Sequence, residues 1–139
     1  MVESTSTHKK DLESLLRKKG SFPQLSSEAL LRDVIDLKEK FNFGTVIIVD
    51  NSDHLLGIIT DGDLRRIITK SQKHYSALMM ESVKVFLNKK PISINNLDTS
   101  LDRIKKIFIK NKILDIVVVD DDNKVLGIIH IHDIFEKYV

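Results

Sequence analysis

The sequence predicts a mixed α+β (α/β) fold made of two βαββα halves, packed sheet to sheet about a pseudo-twofold axis. Three observations lead there. The chain repeats itself at an offset of 70 residues. Each half shows β-branched runs next to helical periodicity. Apolar residues make up 42% of the 139, enough for a core and too many for a disordered chain.

The repeat is gap-free over its strongest part. Phe43 to Arg66, FGTVIIVDNSDHLLGIITDGDLRR, aligns with Ile113 to Glu136, ILDIVVVDDDNKVLGIIHIHDIFE. Val49 meets Val119, Asp50 meets Asp120, Leu56-Gly57-Ile58-Ile59 meets Leu126-Gly127-Ile128-Ile129, and Asp63 meets Asp133. Upstream, Leu31, Val34 and Leu37 meet Leu101, Ile104 and Ile107 at the same offset.

Each half opens on a short extended segment, Phe22 to Leu25 and Pro91 to Ile94. A helix follows, roughly Ser27 to Asn42 and Thr99 to Asn111. Ser26 or Ser27, and Asp98 or Thr99, are the expected N-caps, and Gly44 stands where a helix-ending glycine is expected. Leu101, Ile104, Ile107 and Phe108 form one helical stripe. Thr45 to Val49 is a β-branched run suited to a strand buried on both faces. Asn51-Ser52-Asp53 makes a turn and Leu55 to Ile59 returns. The second copy has Ile116 to Val119, a turn at Asp121-Asp122-Asn123, and Val125 to Ile129. A last helix begins at Asp61 or Ile131, and a helical stretch is expected near Ala77 to Phe86. The resulting plan is an N-terminal tail or helix over 1–20, a first motif over 21–70, a linker over 71–90 and a second motif over 91–139. One three-stranded sheet cannot bury both faces. Two copies packed together can, leaving two clefts lined by equivalent loops.

Composition excludes several functions. Twenty-two basic residues against 20 acidic ones give a net charge of +2, too small to argue for nucleic acid. Cysteine is absent, so disulfides and thiolate metal sites are excluded. No apolar run approaches the ~18 residues of a membrane span, and the N-terminus has no secretory apolar region. A cytoplasmic protein is expected. There is no GxxxxGK phosphate loop, no dinucleotide fingerprint and no serine–histidine–acid order. No catalytic residue, metal or resident cofactor is expected.

The candidate binding residues sit at the repeated strand end. Thr60 and Asp63 have the spacing of a capping box, in which Thr60 caps the helix and Asp63 answers it. They also suit a ribose, because a carboxylate offers two acceptors to a diol. Both readings stand at this point. Asp61 would favour the positive helix start, and Arg65 or Arg66 could hold a phosphate. His130 and His132 lack a third metal ligand, so ligand contact is preferred to metal. Asp120-Asp121-Asp122 lacks the glycine and glutamate of a calcium loop.

These halves resemble CBS domains, and together they resemble a Bateman module covering Phe22 to Tyr138. In that family a G-h-h-[ST]-x-x-D segment contacts the ribose of a nucleotide. Gly57 to Asp63 matches it, whereas Gly127 to Asp133 has His130 in the hydroxyl position. The stretches GIITDGDLRR and GIIHIHDIFEKYV are similar to the C-terminal CBS pair of arabinose 5-phosphate isomerases, the KpsF/GutQ group. That resemblance implies a sensor for an enzyme of Kdo, lipopolysaccharide or capsule synthesis. It implies no isomerase turnover by this chain and no catalytic domain within it. It implies a nucleotide or nucleotide-sugar ligand, CMP-Kdo or an adenine nucleotide, held by Thr45, Thr60, Asp61, Asp63 and Arg66, with His130, His132 and Asp133 from the second copy. Resemblance to paired CBS modules, together with the apolar positions Ile67, Ile68, Ile134 and Phe135, implies a homodimer.

Overall fold

The computed structural model describes residues 12–95 and 99–138. In chain order the elements are β1 (Arg17–Lys18), β2 (Gln24–Ser26), α1 (Leu31–Phe41), β3 (Thr45–Val49), β4 (Leu55–Thr60), α2 (Asp61–Lys70), α3 (Tyr75–Met79), a 3-10 turn (Val83–Val85), β5 (Ser93–Asn95), α4 (Leu101–Asn111), β6 (Asp115–Val119), β7 (Val125–His130) and α5 (Ile131–Tyr138). They form a mixed α+β structure with two sheets, ordered β2-β3-β4 and β1-β7-β6-β5. The chain divides into two compact units. One is contiguous, from Gly20 to Pro91; the other joins the N-terminal segment, up to Lys19, to the chain from Ile92 onward.

In the first unit β3 is central. It pairs parallel to β2, Gln24 opposite Ile47, and antiparallel to β4, Thr45 opposite Thr60. In the second unit β6 takes that place, with Ser93 opposite Val117 and Asp115 opposite His130. A register irregularity falls between Ile48 and Val49 in one and between Val118 and Val119 in the other. All five residues of β3 and of β6 are buried, as a continuous β-branched run requires.

Helix ends depart from the sequence expectation. Helix α1 starts at Leu31, not near Ser27, because Ser27 N–H is still bonded to the Val49 carbonyl (3.2 Å) beyond the end of β2. Leu30 occupies the N-cap, and its N–H donates to the Asp33 carboxylate (2.8 Å). In α4 the cap is Ser100, whose hydroxyl accepts from Arg103 N–H (3.2 Å); of the two residues expected there, Asp98 lies outside the described residues. Gly44 does not end α1. Asn42 does, in the left-handed region at φ 50°, and Lys112 repeats it at φ 52°. Asp53 (φ 67°) and Asn123 (φ 62°) are a second such pair, in the hairpin turns. Asp50 steadies its turn by accepting Ser52 N–H (2.8 Å) and His54 N–H (2.9 Å), and Asp120 does the same for Asp122 and Lys124 (both 2.9 Å).

The first core joins Leu31, Val34, Val46, Ile48, Ile59 and Leu64 to Leu78, Met79 and Val83. Residues 71–90, expected as a linker, therefore supply core to the first unit. Asn88 also closes its sheet edge, exchanging two backbone hydrogen bonds with Ile58 (3.1 and 2.9 Å). The second core joins Ile104, Phe108, Ile116, Val118, Ile129 and Ile134 to Leu12 and Leu15. Here β1 closes the edge, with Arg17 opposite Ile128 and Lys18 opposite Gly127. Gly57 and Gly127 permit these close approaches. A Cβ on Gly57 would run into Asn88 O, and one on Gly127 into Arg17 O. Ile134 is buried within its own unit, so it is not among the apolar residues left for a partner. None of the described helices is long and apolar enough to cross a membrane.

Candidate functional site

The first unit's candidate residues gather where β4 runs into α2. The [ST]-x-x-[DE] spacing forms the cap it encodes. Thr60 Oγ1 accepts from Asp63 N–H (3.2 Å), and Thr60 N–H donates to Asp63 Oδ2 (2.9 Å). Asp63 Oδ1 also accepts from Arg66 Nη2 (2.6 Å), whose side chain is 61% exposed. The Arg66 side chain is thus tethered at one end only and can turn without disturbing the backbone.

Asp61 is tied to a residue not expected to matter. Lys38 on α1 has only 8% of its side chain exposed. Its ammonium donates to the Gly44 carbonyl and to Asp61 Oδ1 (2.7 Å). The Gly44 carbonyl also accepts Asp61 N–H (2.9 Å). Lys38 therefore staples the end of α1 to the start of α2. A signal for it existed: at the repeat offset it lies over Phe108, a member of the apolar stripe.

Beside α2 lies a hollow of about 550 Å³, bounded on its other side by the segment from Ser71 to Phe86. Asp63, Arg66 and Lys70 reach it from the helix, Lys73, Glu81 and Phe86 from the segment, and Ile67 and Leu78 give it an apolar floor. Lys73 pairs with Glu81. Of the expected residues, Asp63 and Arg66 line the hollow. Thr45, Thr60 and Asp61 stand at the adjoining strand and helix ends, outside that lining.

The second unit presents different chemistry at the same positions. Asp115 replaces Thr45, His130 replaces Thr60, Ile131 replaces Asp61, Glu136 replaces Arg66 and Phe108 replaces Lys38. The Asp115 side chain, 4% exposed, meets His130 Nδ1 at 2.6 Å. The His132 ring stands edge-on to His130, centroids 4.8 Å apart. Asp133 is gripped from β1: Arg17 Nε reaches Oδ2 at 2.7 Å and Nη2 reaches Oδ1 at 2.9 Å. That side-chain hydrogen bonding holds the Asp133 carboxyl below the usual carboxylate range; the charges of Arg17, His130 and His132 add to the effect, and partial burial opposes it. Arg17 lies 116 residues from Asp133, and no local sequence signal pointed to it. Among the described residues no group of three or more side chains could hold a metal ion.

Comparison with known proteins fits this architecture. The CBS domain family model matches residues 14–70 and 83–139. The chain is similar to part of "Arabinose 5-phosphate isomerase KdsD" of Francisella tularensis, 27% identical over 126 residues, 90% of this chain and 36% of that protein. It is similar to part of "Inosine-5'-monophosphate dehydrogenase" of Bacillus subtilis, 36% identical over 109 residues, 77% of this chain and 20% of that protein. In structure it is similar to "CBSX2 in complex with AMP", with a TM-score of 0.76 at 19% identity, over 88% of this chain and 91% of that one. The chain spans between a fifth and about a third of the length of these curated relatives.

Proposed function

The chain belongs to the CBS domain family, and from that premise we propose that it is a regulatory binding module whose first motif takes a nucleotide or nucleotide-sugar. The observation that carries this is the hollow beside α2, where Asp63 and Arg66 meet Lys70, Lys73 and Phe86. Asp63 would accept the two ribose hydroxyls. Arg66 would leave Asp63 and turn to the phosphate, where a guanidinium can bind in bidentate fashion. Lys70 would add positive charge, Lys73 being already paired with Glu81, while Phe86 and Ile67 offer the base an apolar surface. Thr45 and Thr60 would face the sugar. Asp61, already paired with Lys38, would meet the phosphate only through water.

The TDGDLRR and HIHD segments and the similarity to KdsD support a place in an arabinose 5-phosphate isomerase, with CMP-Kdo as the feedback ligand. The similarity to the dehydrogenase and to the AMP complex supports a second reading, an adenine-nucleotide sensor serving another enzyme. In either role the module would sit in the cytoplasm, regulate rather than catalyse, and pair as a homodimer through exposed apolar residues such as Ile68 and Phe135. Light scattering showing a monomer at high micromolar concentration would rule out the homodimer.

A third reading is structural: the capping box alone explains Thr60 and Asp63. Calorimetric titration of AMP, ADP, ATP, CMP and CMP-Kdo into wild type and Asp63→Asn separates the three. Asn keeps a side-chain acceptor near the cap, so stability should fall by about 1 kcal/mol or less. Ribose affinity should fall more, because a charged acceptor is lost. Whichever nucleotide binds wild type selects between the first two readings. Binding by neither protein, or equally by both, would leave the cap standing alone.

A further inference from the structure

We infer that the second motif is closed to anionic nucleotides by its own chain, with Arg17 acting as its internal ligand, so that each chain takes one nucleotide, at the first motif. The count of one rests on the nucleotide proposed above; the closure does not.

The closure follows from what the repeat substitutes. Asp133 is the counterpart of Asp63, the residue that would accept the ribose diol. Both of its oxygens already receive donors from one guanidinium, at 2.7 and 2.9 Å. This is the planar two-bond geometry that a guanidinium makes best with a carboxylate. A diol would have to displace a charged donor pair with two neutral hydroxyls. Arg66 in the first motif is a weaker obstacle. It makes one contact to Asp63, from the same helix and largely in solvent, and the other Asp63 oxygen accepts only the Thr60 N–H of the helix cap, not a second guanidinium bond.

Arg17 is also held from behind. Its backbone is part of β1, paired with Ile128 in β7. Gly127 lets β1 come close enough that any side chain there would strike the Arg17 carbonyl. Releasing Asp133 therefore means turning a side chain whose root is fixed in a sheet.

The other substitutions act the same way. Glu136 stands where Arg66 would meet a phosphate, replacing attraction by repulsion. Asp115 places a carboxylate in the position of Thr45 and keeps it against His130 at 2.6 Å. Ile131 removes the acid present at Asp61 but supplies no donor in exchange. The ends of β6 and β7 thus meet through a carboxylate–imidazole hydrogen bond, where β3 and β4 place two hydroxyl side chains.

Two measurements test this. Without ligand, a double-mutant cycle of Arg17→Leu and Asp133→Asn is followed by urea unfolding. The double variant should lose no more stability than the worse single one; additive losses would show that the two groups do not act as a latch and would overturn the closure. With AMP and CMP as probes, calorimetry on the full chain should give one site. Asp63→Asn should weaken that site at least tenfold and uncover no other. Two sites in wild type, or one intact site remaining in Asp63→Asn, would overturn the inference. If neither probe binds wild type, the count of one is overturned, while the closure still stands or falls on the cycle.

Discussion

Asn42 and Lys112 hold the same left-handed backbone at equivalent helix ends, at φ 50° and 52°. Asparagine tolerates this conformation through its short polar side chain, whereas lysine gains nothing there. Lys112→Gly should therefore stabilise the chain by about 1 kcal/mol, read as a higher urea midpoint; no change would mean the conformation carries no strain. Asp133 makes a pH prediction. Its carboxyl is depressed in the folded chain, chiefly by Arg17. Its contribution is then complete above the unfolded carboxylate value of about 3.9 and is lost as pH falls through the lower folded value. Asp133→Asn should be less stable than wild type at pH 6, with the gap narrowing as pH falls below about 3.9. A gap constant across that range would dissociate Asp133 from the acid response. At this scale the sequence was legible wherever partners lie close together, as with Thr60 and Asp63. It marked Asp133 through the repeat but was silent on its pairing with Arg17, whose 116-residue separation leaves no local pattern.

Elements were legible where apolar periodicity is strong. The runs at Thr45 and Ile116 are buried strands, and the helices following Thr60 and His130 start where expected. The helix upstream of β3 begins later because strand pairing persists into Ser27. A strand's backbone bonds outcompeted a favourable capping residue. Lys38 and Phe108 show two solutions to one packing position on α1 and α4. Phe108 fills its core directly. Lys38 buries a charge against a largely exposed Asp61, and replacing such a buried ion by an apolar group of similar length is often neutral or stabilising. Lys38→Met should thus unfold within about 1 kcal/mol of wild type, because the Gly44 carbonyl keeps the Asp61 N–H. A loss of about 3 kcal/mol or more, the scale of a broken buried pair, would show that the ammonium is essential to the junction.

At the scale of the molecule the repeat was plain, but the assignment of its connecting segments was not visible. Residues 71–90 look polar enough for a linker, yet Leu78, Met79 and Val83 belong to the first core. Leu12 and Leu15 belong to the second core, although the first motif follows them directly. Apolar side chains in a short segment show that it packs without showing where. Deleting residues 1–19 should consequently injure the distant half. Each buried leucine lost costs about 2–5 kcal/mol, a large share of a domain's typical stability. Amide exchange should lose protection in β6 and β7 and keep it in β3 and β4. Loss confined to β3 and β4, or uniform loss, would contradict this assignment.

That arrangement also sets a timetable for biosynthesis. The first unit is one unbroken stretch and can complete its core once Pro91 has emerged from the ribosome. Residues 12–19 emerge earlier still, but the strand that β1 joins lies more than a hundred residues downstream. They must wait, with Leu12 and Leu15 still without their core, until β7 has been made. The earliest part of the described chain to be synthesised is thus among the last to be placed, and it is this segment that a nascent-chain chaperone would find exposed.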